Sequence, residues 1–189
     1  MPGDNPLAER GRSLEEDYFR KRDQELVEKL RRAAAADTAR QELSAASGLS
    51  DPDLLKELEE LGFTPETVPL LPFVPLIQVA WAEGGVSQPE RRLIIDLARS
   101  RGILEGSPAD LELASWLSTR PSDAVFTRST RLVRALLNAT TLSGEMLTAK
   151  DLVKYCESIA DASGGMFGIK RISGEERAIL EKLASELNQ

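Results

Sequence analysis

A chain of 189 residues is long enough for one domain with an appendage or for two small domains, and too short for a larger assembly. Its hydrophobic share of 41%, charged share of 29% and aromatic share of only 5% describe a globular protein whose core is built from Leu, Ile, Val and Ala. A formal charge of -7 with no Lys/Arg stripe interleaved with aromatics excludes nucleic acid as the expected partner.

Residues 1–12, rich in Pro, Gly and charge, read as a disordered start. They have no apolar core of the secretory type, so no signal peptide is expected. From Ser13 a capping pattern with Glu16 opens a helix over 14–36, whose charges recur at helical spacing (Glu16/Arg20, Glu25/Lys29, Glu28/Arg32). Its apolar line, Leu14, Tyr18, Leu26, Leu30 and the alanines 33 to 36, is narrow. Such a stripe packs along an edge or against another chain, which predicts a half-covered helical arm. The Ser/Ala/Gly passage at 44–50 reads as a linker, giving two domains, 1–48 and 49–189.

Beyond it the start and stop signals of helices follow in close succession. Asp51-Pro52 opens a short helix that stops at Gly62. The prolines of VPLLPFVPLIQVAWA break any early helix, and Pro75 then opens a buried one running to about Ala82. Further helices are expected over 89–101, 108–119, 123–140, 149–162 and 174–187, each behind a Ser or Thr cap. No stretch alternates apolar and polar residues with strand-type composition. The predicted fold is therefore all-α, a compact bundle of about six to eight helices plus the charged N-terminal helix.

One pattern occurs twice. SQPERRLIIDLA (87–98) and SGEERAILEKLA (173–184) share Ser, Glu, Arg and a Leu-Ala pair, and each follows a double glycine, AWAEGG (80–85) or ADASGG (160–165). These are two related helix-loop-helix units. Glycines stop the first helix, Ser87 and Ser173 cap the second, and Glu90 and Glu176 stand three residues on, where a carboxylate can bond the cap's own N–H. The same carboxylates also permit a cation reading. Glu83 and Glu90 from the first loop, and Asp161 and Glu176 from the second, are hard oxygen ligands of the type that Ca²⁺, Mg²⁺ or Mn²⁺ takes.

The sequence Ala-x-Ala-Glu-Gly-Gly-Val-Ser-x-x-Glu, residues 80 to 90, resembles the signature of the tellurite-resistance TerB-like helical proteins. In them Ala-x-Ala-Asp-Gly, an apolar residue and a downstream Glu occur twice across a bundle. The resemblance covers about 65–187 and leaves the N-terminal third aside. It implies an all-α cytoplasmic protein tied to stress or tellurite-resistance systems, acidic residues toward divalent cations, and partners that include membrane-associated proteins. Glu83 stands where that pattern has Asp, and Ser163 stands at the equivalent place in the second, longer loop.

Enzymatic chemistry finds little purchase. With no histidine, Ser-His and Cys-His pairs and the di-iron Glu-x-x-His pattern are absent. Cys156, the single cysteine, lies among apolar neighbours of a predicted helix and reads as structural, in a reducing, cytoplasmic setting. Gly164, Gly165 and Gly168 lack the strand and the Gly-Lys-Ser/Thr ending of a phosphate loop. Trp81 and Trp116 read as core. The expected function is thus non-enzymatic: an interaction or scaffold protein whose N-terminal helix recruits a protein partner or a second copy, with a divalent-cation sensor as the alternative. No membrane span is expected, and membrane association would run through a partner protein.

Overall fold

In a computed structural model the chain is described over residues 6–143, 148–162 and 172–187, with side chains over 18–139, 148–162 and 172–187. The described residues hold eight α-helices and one 3-10 helix, with no strand among them. They are α1 (Pro6–Ser47), α2 (Pro52–Glu60), the 3-10 helix (Val68–Phe73), α3 (Val74–Ala80), α4 (Gln88–Ser100), α5 (Pro108–Ser118), α6 (Asp123–Ser143), α7 (Ala149–Ala162) and α8 (Gly174–Leu187). The all-α bundle expected from the sequence is what forms. Gly164, Gly165 and Gly168 of the long loop lie outside the described residues.

The chain divides into two units, Met1–Gln41 and Glu42–Gln189. The first consists, where described, of the greater part of α1. Every side chain from 18 to 39 is exposed in the single chain. The helix is longer than expected at both ends. Residues 6–12 wind into it, with Pro6 in the first turn, where an N–H has no partner within the helix. The expected linker at 44–50 is helical through Ser47, because alanine and serine continue a helix unless something stops it. The stop is Gly48, at φ 71°, whose N–H reaches the Ser44 carbonyl at 2.9 Å. Leu43 and Ser47 are buried, which is why the final residues of α1 belong with the second unit.

The second unit is organised around α3. All but Gln78 of its seven residues are buried, and it packs against α4, α6, α7 and α8. The prolines before it do not break the chain's winding, contrary to expectation. Residues 68–73 tighten into a 3-10 helix through Pro69 and Pro72 and pass directly into α3, where Pro75 falls in the first turn. Leu70, Leu71, Ile77, Ile94, Leu132 and Ile159 are among the side chains fully shielded from water. Each such aliphatic contributes roughly 1.5–3 kcal/mol by leaving water. Arg128 of α6 ties α2 by ion pairs to Glu57 (3.0 Å) and Glu60 (2.7 Å).

Candidate functional site: a buried glutamate pair

The repeated motif builds the same helix start twice. In the first, α3 ends at Ala80 and the chain turns through Gly84, at φ 84°, before Ser87 starts α4. The Ser87 N–H donates to Glu90 Oε2 at 2.7 Å, and the Glu90 N–H donates to Ser87 Oγ at 3.4 Å. In the second, the Ser173 N–H donates to Glu176 Oε2 at 2.7 Å and the Glu176 N–H to Ser173 Oγ at 3.1 Å. Both joints are thus reciprocal capping boxes, each satisfying two backbone donors that a helix start leaves over.

A cap on a helix start is ordinarily wet, and these two are not. Glu90 is 2% exposed and Glu176 is 0%. The charge of Glu176 acts on Glu90, so the two lie within electrostatic reach of each other. Burial pushes the Glu90 carboxyl above its ordinary range, its two bonds with Ser87 pull the other way, and the charges of Glu176 and then Glu83 push it further up. Of the four carboxylates singled out in the sequence, Glu90 and Glu176 are therefore the buried, interacting pair. Glu83 is exposed on the turn after α3 but close enough to act on Glu90. Asp161 is exposed in the last turn of α7.

Toward a divalent cation the pair has the right chemistry and too few atoms. Carboxylate oxygens suit a hard ion, yet Glu90 and Glu176 each have one oxygen held by a cap N–H. Among the described residues no three Asp, Glu, His or Cys side chains gather where one ion could touch them. A cation here would draw its remaining ligands from water and backbone carbonyls.

The shared arginine separates the two copies. Arg91 donates from its guanidinium to the Leu117 carbonyl, and Trp81 Nε1–H donates to the Trp116 carbonyl at 2.9 Å, so both hold the carboxyl end of α5. Trp116 in turn meets Phe63 edge to face, ring centres 5.9 Å apart. Both tryptophans pack on the core, as their neighbours in sequence suggested. Arg177, the counterpart of Arg91, is exposed. Sequence spacing showed the arginine in both copies, but α5, the element that distinguishes them, has no counterpart in the motif.

Cys156 is fully buried in α7, and burial pushes its thiol up to about 12. At neutral pH it is a thiol and not a nucleophile. No family model, no curated protein and no solved structure matches the chain. No helix among the described residues is long and apolar enough to cross a membrane.

Proposed function

We propose that this chain is a non-enzymatic interaction protein, a helical bundle that presents α1 to a protein partner. The observation that supports this reading is the exposure of Tyr18 (58%), Phe19 (59%), Leu26 (54%), Val27 (46%) and Leu30 (61%) on one continuous helix. An uncovered helix gains no stability from tertiary packing, and a run of large apolar side chains in water marks a surface that another molecule covers. The buried thiol of Cys156 and the histidine-free sequence favour binding over catalysis. Together with the TerB-like resemblance, this describes a cytoplasmic adaptor of a stress or tellurite-resistance system, reaching membranes through a partner.

The test replaces Phe19, Leu26 and Leu30 by Ser in the full chain and compares cross-linked species in cells. Cross-links of the native chain disappear in the variant while its bundle melts unchanged. If the same species persist in the variant, the reading is wrong.

The Glu90–Glu176 pair favours a second reading, a divalent-cation sensor. A cation between two buried carboxylates relieves their repulsion and ties the two helix-loop-helix units together.

A further inference from the structure

Over residues 15–32 of α1 the charges come in four runs of alternating sign: Glu15-Glu16-Asp17, then Arg20-Lys21-Arg22, then Asp23, Glu25 and Glu28, then Lys29, Arg31 and Arg32, with Glu9, Arg10 and Arg12 before them and Asp37, Arg40 and Glu42 after. Over residues 6–47 nine acidic residues balance nine basic ones, so the chain's net charge of -7 lies outside this helix. At about 100° per residue, Phe19, Leu26 and Leu30 fall within about 40° of one line, interrupted by Asp23. The helix thus carries an apolar seam with Glu15, Glu16, Arg20, Arg22 and Lys29 of these runs beside it, the arrangement that selects partners in paired helices.

The pattern is its own complement when reversed. Minus, plus, minus, plus read backwards is plus, minus, plus, minus, so two antiparallel copies set each of these four runs against one of opposite sign, with Asp23 alone meeting its own copy at the centre. Two parallel copies in register set every run against itself, and a parallel pair slipped by one run leaves an unmatched run at each end. We propose that α1 pairs antiparallel with α1 of a second copy of this chain, centred near residue 23, with Phe19, Leu26 and Leu30 forming the seam. This rests on the reading of α1 as an interaction surface and names its occupant. Helix neutrality removes the long-range repulsion that two acidic chains otherwise feel, and runs of opposite sign set both direction and register.

Sedimentation equilibrium and a label pair on the full chain test this. The native chain is a dimer whose association weakens as salt rises. Reversing the second run (Arg20→Glu, Lys21→Glu, Arg22→Glu) or the third (Asp23→Lys, Glu25→Lys, Glu28→Lys) gives monomers, and mixing the two variants restores a dimer. Circular dichroism checks that each variant keeps its helix. Spin labels at Ala33→Cys, on a chain with all native charges, lie roughly 30 Å apart in the antiparallel pair and adjacent in a parallel one. The native cysteine is buried and stays unlabelled. Monomers at every concentration, a mixture that stays monomeric, or adjacent labels at residue 33 overturn the proposal. A monomeric chain whose seam-dependent cross-links join it to a different protein defeats only the second copy as occupant; cross-links that ignore the seam defeat the interaction reading itself.

Discussion

Glu90 sits between two demands that oppose each other. As a cap it is most useful ionised, because a carboxylate accepts the Ser87 N–H at a helix start and meets the positive end of the helix dipole. As a buried group within reach of the charges of Glu176 and Glu83 it is most comfortable protonated, and the net result is a carboxyl raised above its ordinary range. A raised carboxyl means that the folded chain holds the proton more tightly than the unfolded chain. Its stabilising contribution is complete below about 4.5, the ordinary value, and is lost as pH rises through the folded value. Glu90→Gln keeps an oxygen for the Ser87 N–H and removes the charge. In denaturant melts across pH, this variant has a flatter profile above 4.5 and matches or exceeds the native chain at neutral pH. Glu90→Ala, which forfeits the cap, loses about 1 kcal/mol or more throughout. An unchanged pH profile in Glu90→Gln refutes the account of Glu90 given above. The same variant decides the cation reading. Ca²⁺, Mg²⁺ or Mn²⁺ raises the melting temperature of a sensor and does not raise that of Glu90→Gln; a native chain indifferent to all three removes the second reading.

Helix starts were legible in this chain because they are local. Asp51, Ser87, Ser107 and Ser173 each accept backbone N–H bonds within three residues, and a one-dimensional pattern suffices to find them. The extent of α1 was not legible, since Ser and Ala at 44–47 permit a helix without demanding one, and the burial of Leu43 that settles the matter is tertiary. The 3-10 winding of Val68–Phe73 was hidden for a similar reason: prolines donate no backbone hydrogen bond of either helix type, yet their fixed φ suits the tighter winding. At the site, the capping role of Glu90 and Glu176 was readable, and their convergence was not. The least readable element was the clamp on α5, where Arg91 and Trp81 bond the successive carbonyls of Leu117 and Trp116. A cation on the last carbonyls of a helix also meets the negative end of its dipole. Arg91→Ala and Trp81→Phe each lose about 1 kcal/mol. Because the two act on one helix end, the double variant departs from additivity. Arg177→Ala, the matching change in the exposed copy, stays within about 0.5 kcal/mol of native. Four denaturant melts and that control decide it. Equal losses at Arg91 and Arg177 contradict the divergence of the two copies.

Two kinds of stability meet in this molecule. The second unit is held by a single core to which α2 through α8 all contribute, so its amides open only when much of that core opens. The described side chains of the first unit have no such cover. There the helix is maintained by local pairs such as Arg32 with Glu28 and Arg40 with Asp37, worth a few tenths of a kcal/mol apiece. Helices without tertiary packing are marginal in water, and length only partly compensates. Hydrogen exchange should therefore divide the chain. At low protein concentration, amides over 20–38 exchange orders of magnitude faster than those of α3 and α7. Raising the concentration slows 20–38 selectively, because pairing of α1 covers its seam and adds a concentration-dependent term to its stability, while the bundle's rates stay fixed. Protection of 20–38 equal to that of α3 at the lowest concentration requires cover from within the chain, and the exposed seam on which the function of α1 rests is then lost.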